Sequence, residues 1–75
     1  MRNPVKLQIG DALFEPLSEN IGEVIKIFDH PDGKIVTIRW RVQDHLHHDT
    51  ELFHKKVVRN IKNGNYEHTP KIDPS

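Results

Sequence analysis

The sequence predicts a small all-β domain, and three observations carry that prediction. Two β-rich runs, residues 23–28 and 34–42, flank the turn Asp29-His30-Pro31-Asp32-Gly33, which is a β-hairpin signal. Within the second run Val36, Ile38, Trp40 and Val42 fall on one face while Thr37, Arg39 and Arg41 fall on the other, the period-2 pattern of a half-buried antiparallel strand. The chain has 75 residues, enough for one domain that buries only about 60% of its unfolded surface. Stability is therefore marginal, and no deep substrate cavity or small-molecule substrate is expected.

The elements follow in order. Residues 1–9 read as an extended lead-in, because Pro4 biases Asn3 away from helix and Val5, Leu7 and Ile9 alternate with Lys6 and Gln8. The domain proper is expected over residues 10–66. Gly10-Asp11 breaks the alternation before a first strand at residues 12–15, which Pro16 ends because it has no N–H to donate into a ladder. Residues 17–21 carry turn-forming side chains and read as a loop. The hairpin follows. Residues 43–49 hold a single apolar side chain, Leu46, and read as a connection, with a fourth strand at residues 50–54.

Residues 52–61 admit two readings. Phe53, Val57 and Ile61 recur every four residues, as on a helix face. Thr50, Phe53, Val57 and Val58 are nonetheless poor helix formers. A strand, a tight 3-10 turn at residues 56–58 and a last short strand at residues 59–62 use the same apolar positions, and this is the expected arrangement. Asn63-Gly64-Asn65 signals a turn, and residues 67–75, with two prolines, read as a flexible C-terminal tail.

Composition excludes several classes. The absence of cysteine removes disulfides, thiolate nucleophiles and Cys-based zinc sites, and fits a reducing cytoplasmic setting. No apolar run approaches the roughly 18 residues that cross a bilayer, and the N-terminal stretch alternates where a signal peptide needs a continuous apolar segment. No membrane association is expected. Net charge is zero but sorted along the chain: residues 1–33 are at −3, residues 34–62 at +4 and the tail at −1. Such a split creates a basic face on a neutral protein unless the two halves offset each other in space.

A Gly-Asp before the first strand, then Gly22-Glu-Val-Ile-Lys-Ile27, a hairpin into Val36-Thr-Ile-Arg-Trp40, a polar loop, a further strand and a short turn before a final strand together resemble the SH3-like barrels of the KOW and Tudor type. The resemblance covers roughly residues 10–62 and implies a five-stranded barrel with a short 3-10 turn before the last strand. It implies a binding module too: KOW domains contact ribosomal RNA or the transcription machinery, and Tudor domains hold methylated lysine or arginine in an aromatic cage. The chain departs from both patterns. It lacks the basic excess of ribosomal KOW proteins, and its few aromatics, Phe14, Phe28, Trp40, Phe53 and Tyr66, are largely required inside.

The candidate site residues are cationic. Arg39 and Arg41 on the outward face of the third strand, with Lys55, Lys56 and Arg59 later in the chain, are expected to bind phosphate or an acidic partner, assisted by Lys26 and Lys62. The competing reading pairs the arginines with carboxylates such as Glu23 or Glu51 across strands. Trp40 is assigned to the core rather than to a base-stacking platform. His45, His47, His48 and His54 lie within ten residues but lack a metal-ligand spacing, so they read as solvated loop histidines, with no metal site and no cofactor. Ser18, Thr37, Thr50, Thr69 and Ser75 sit in no motif that supplies a base or an oxyanion hole, and no catalytic residue is assigned. The expected function is a non-enzymatic adaptor that associates with nucleic acid or a nucleoprotein complex. The alternative is a protein-interaction module acting through an edge strand or the His-rich loop.

Overall fold

Strand alternation on both sides of a two-residue turn produces the centre of the fold. The computed structural model describes residues 5–41 and 47–71. Its elements are β1 (Ala12–Glu15), β2 (Asn20–His30), β3 (Gly33–Arg41), β4 (His47–Phe53), α1 (His54–Lys62) and β5 (Glu67–Thr69). The strands form one antiparallel sheet in the order β4-β3-β2-β1-β5. β2 and β3 pair from Ile21↔Arg41 to His30↔Gly33, with a bulge at Ile25 where the register shifts between Val24 and Lys26. The extra residue lets both halves of this long strand keep their apolar side chains inward.

The alternation of β3 sorts most side chains as expected, with Val36, Ile38 and Trp40 buried and Arg39 and Arg41 exposed, but Thr37, expected outward with the arginines, is itself buried. With Leu7, Leu13, Val24, Val57 and Tyr66 they make up the buried core. Val42, His45 and the rest of residues 42–46 lie outside the described residues, as do residues 1–4 and 72–75. Trp40 lies opposite Gly22 across the β2–β3 ladder. A Cβ added at Gly22 would stand 2.8 Å from both Ile38 Cγ2 and Trp40 Cε3. The absent side chain at position 22 is what lets the indole pack against the strand backbone.

Four expectations are corrected, the last being the closed barrel. Residues 54–62 form a nine-residue α-helix rather than a 3-10 turn followed by a strand. Its inward residues are Val57, Val58 and Ile61, and the apolar surface they cover outweighs the weak helix propensity of two valines. The helix stops at Gly64, whose φ of +84° suits glycine and whose N–H returns to the Ile61 carbonyl at 3.2 Å. Residues 47–49, read as connection, belong to β4. Residues 67–69, read as tail, form β5 and pair with β1 from Ala12↔Thr69 to Phe14↔Glu67. The sheet edges are β4 and β5, which share no backbone pairing among the described residues, so the expected barrel is an open five-stranded sheet with α1 between its edges in sequence.

A buried carboxylate joins the two ends of the chain to this sheet. Asp11 is 1% exposed. Its Oδ2 accepts from the Gln8 backbone N–H at 2.9 Å and from His68 Nε2 at 2.8 Å, and its Oδ1 accepts from the Lys71 backbone N–H at 2.8 Å. Its carbonyl also accepts from Val24 N–H at 2.9 Å. Burial by itself would push this carboxyl up, but the donors from Lys71, His68 and Gln8 outweigh it and hold Asp11 below its ordinary value of 3.8.

Two outcomes test this account of the fold. Gly22→Ala is expected to cost about 1–3 kcal/mol in chemical denaturation, because the added methyl group overpacks Ile38 and Trp40. Asp11→Asn is expected to cost about 2–3 kcal/mol at neutral pH, since the carboxamide presents an NH2 group to donors that need an acceptor. Because the folded state lowers the Asp11 pKa, its contribution is fully present above 3.8 and is lost as acid carries the pH down through the folded-state value. Acid unfolding below about pH 4 should be less steep in Asp11→Asn than in the parent.

Candidate functional site

The five cations singled out in the sequence divide between two sides of the sheet. Arg39 and Arg41 project from the face of β3 opposite to Val36, Ile38 and Trp40. Lys55, Lys56 and Arg59 lie on α1, which packs Val57 into the core on the inward side. The continuous stripe expected from the sequence is therefore two separate basic surfaces.

The β3 surface is partly neutralised by its own neighbours. Arg39 is in register with Asp49 of β4 on one side and with Glu23 of β2 on the other. Its Nε and Nη2 donate to Asp49 Oδ1 and Oδ2 at 3.0 and 3.2 Å, the bidentate geometry a guanidinium favours. This hydrogen-bonded pairing holds the Asp49 carboxyl below the usual carboxylate range and raises Arg39. The competing reading, in which the arginines pair across strands with surface carboxylates such as Glu23 or Glu51, holds for Arg39, and the carboxylate engaged is Asp49, which the register places opposite. Arg41 stands between Ile21 and His47, with Ile21 53% exposed beside it. Lys26 Nζ lies 5.0 Å from the Phe28 ring centroid, a cation–π distance.

The α1 surface is different. The helix reads His54-Lys-Lys-Val-Val-Arg-Asn-Ile-Lys62 and contains no acidic residue. With Val57, Val58 and Ile61 turned inward, the exposed residues are Lys55, Lys56, Arg59 and Lys62. Spacings of three, four and seven residues put these four cations along one helix face. None of them is in an ion pair among the described residues, in contrast to Arg39. Arg59 and Lys62 complement the negative end of the helix dipole, but Lys55 and Lys56 sit in the first turn, where a positive charge opposes it. Helix stability gives no reason for those two lysines.

Between the sheet, mainly β3 and β4, and α1 opens a cleft of about 340 Å³, and Lys56 is on its lining as well as on the cationic face. Trp40 and Tyr66 meet there with ring centroids 5.4 Å apart and planes tilted by 55°. Burial and the neighbouring Glu15 charge push the Tyr66 phenol up, while a hydrogen bond with Asn60 opposes them. Sequence reasoning missed this cleft. Glu15 and Asn60 carry no motif, and they meet Trp40 only because α1 folds back across the sheet.

The histidines do not converge. His47 and His48 are adjacent in β4 and so point to opposite faces, His54 begins α1, and His45 is outside the described residues. Among the described residues no three His, Cys, Asp or Glu side chains gather as a metal site would require. No helix of the described residues is long and apolar enough to cross a membrane. Comparison with known protein families, characterised proteins and solved structures finds no match to the chain.

The exposed Arg39–Asp49 pair is expected to contribute little to stability. Arg39→Ala and Asp49→Ala should each leave the denaturation midpoint within experimental error, and a shift as large as that of Gly22→Ala would contradict this assignment.

Proposed function

We propose that the chain is a small non-enzymatic binding module, SH3-like in strand order and akin to the KOW and Tudor group, that associates with nucleic acid or a nucleoprotein complex. One observation carries the reading: the outward face of α1 is cationic without any acidic residue, and two of its lysines occupy positions unfavourable for the helix itself. The strand order β4-β3-β2-β1-β5, with adjacent strands joined in sequence from β1 to β4, supports the SH3-like comparison. From Lys55 to Lys62 the helix rises about 10 Å, which matches about three 3.4 Å spacings, and so about four phosphates, along one strand of a duplex. Contacts of this kind position a backbone and carry no sequence information, so low sequence specificity follows. Arg41 and, where Asp49 releases it, Arg39 form a secondary contact on the opposite side of the sheet.

A protein partner is the second reading. β4 is a sheet edge whose outer side carries no strand among the described residues, and an extended peptide can add there by β-augmentation. Salt separates the two, since phosphate contacts weaken steeply with salt whereas main-chain pairing and apolar burial do not.

The test is fluorescence anisotropy with short single- and double-stranded DNA and RNA at several salt concentrations. With about four phosphate contacts, the slope of log K against log salt on duplex DNA should be about −3 to −4. Lys55→Gln/Lys56→Gln/Arg59→Gln, which keeps good helix formers in α1, should bring that slope to about −1 with little change in stability. Undetectable association with every oligonucleotide at low salt overturns the reading.

A further inference from the structure

The outward face of the sheet, away from α1, carries an arrangement that neither basic surface explains. One row crosses all five strands: Glu67 of β5 pairs with Phe14 of β1, Phe14 with Ile21 of β2, Ile21 with Arg41 of β3, and Arg41 with His47 of β4. Leu13 and Trp40, the chain neighbours of Phe14 and Arg41, are buried in the core, so this row points outward. Its middle is apolar, with Ile21 53% exposed beside a half-buried Phe14. Its two flanks are opposite in sign, and neither Glu67 nor Arg41 is in an ion pair among the described residues. Next to Ile21 a hollow of about 210 Å³, with Gly10 and Ala12 in its lining, leaves room for a side chain from outside.

We propose that this face is the contact between two copies of the chain, related by a two-fold axis that runs along the sheet surface between β1 and β2. Strands lie about 4.8 Å apart, so Phe14 and Ile21 stand about 2.4 Å to either side of that axis, and Glu67 and Arg41 about 7 Å to either side. The axis therefore sets Phe14 against Ile21 of the second copy and Glu67 against its Arg41, each contact being made twice. With two sheets stacked about 10 Å apart, a glutamate and a guanidinium on facing positions reach each other. The adjacent row adds no like-charge contact, since the same axis sets Ala12 against Glu23 and Thr69 against Arg39. An axis running across the strands would instead bring Glu67 onto Glu67 and Arg41 onto Arg41. The β4 edge offers no such match: antiparallel pairing of two copies centred on Asp49, Thr50 or Glu51 sets carboxylate against carboxylate in every case. A contact confined to one face of so small a sheet belongs to the weak class, below about 1,200 Å² in total. The dimer leaves α1 outward on both copies and commits Arg41 to the second copy, so the secondary contact of Arg41 with nucleic acid belongs to the monomer.

The test is sedimentation equilibrium of the full chain at low salt from about 10 μM to 1 mM, a range that brackets weak association. The parent should pass from monomer toward dimer across this range. Arg41→Glu and Glu67→Arg each place two like-charge contacts in the dimer and should weaken it about tenfold or more. Mixed in equal amounts, the two variants should associate as the parent does, because one copy then supplies two acids and the other two bases at the facing positions. Both substitutions are on exposed residues, and unchanged Trp40 emission verifies that each variant folds. Ile21→Lys should abolish the dimer. Leu17→Ala should leave it intact, since Leu17, although 97% exposed, lines a cleft with Asn60 and Tyr66 on the α1 side. A parent that is monomeric throughout, a dimer indifferent to both charge reversals, or variants that stay monomeric when mixed overturns the two-fold contact.

Discussion

The Asp11 carboxylate is the interaction on which most of this small protein depends. An ionised group with 1% exposure is costly unless donors surround it. Here they come from three separated segments, Gln8 before β1, His68 in β5 and Lys71 beyond it. β5 is three residues long and pairs only with β1 at a sheet edge, so its backbone ladder is a weak attachment. The carboxylate adds the anchoring that the ladder lacks, and it does so where the chain would otherwise fray. With β5 held, Tyr66 just before it is held against Trp40, and α1 is tethered at both ends, by β4 and by the segment that leads to β5.

That tether determines what α1 can do. A nine-residue helix of this composition is marginal in water by itself. It persists because Val57 is buried and Val58 and Ile61 pack against the core. Once the inward face is committed, the exposed positions of the helix are Lys55, Lys56, Arg59 and Lys62, cations without acidic neighbours within the helix. On the other side of the sheet the opposite holds, where Arg39 has Asp49 directly across and Glu23 beyond. The two basic surfaces thus have similar composition and different electrostatics. One is internally compensated and the other is open to a polyanion.

Much of the sheet was legible in the sequence because strand alternation is local. The run of β3 declares its inward Val36, Ile38 and Trp40 and its outward Arg39 and Arg41, though not the burial of Thr37, and β1 is bounded by Asp11 and Pro16 as its composition suggests. The segment from Phe53 to Ile61 was harder, since its period-4 apolar pattern pointed to helix while its β-branched residues pointed to strand. Packing against β3 decided for the pattern. Three residues of β5 carry no periodic signal, and Glu67-His-Thr69 became a strand through pairing with β1 and the hydrogen bond from His68 to Asp11.

The sequence by itself determined the all-β core around β2 and β3, the inward role of Trp40 and the outward direction of Arg39 and Arg41, because each depends only on the two-residue period of an extended chain. Tertiary structure alone decided that the five expected cations lie on two surfaces, which surface carboxylate engages Arg39, and that Glu15, Trp40, Lys56, Asn60 and Tyr66 share one cleft. Those outcomes depend on which strands become neighbours and on the direction in which α1 folds back. Both are set by burial summed over the whole chain, and no window of sequence contains that sum.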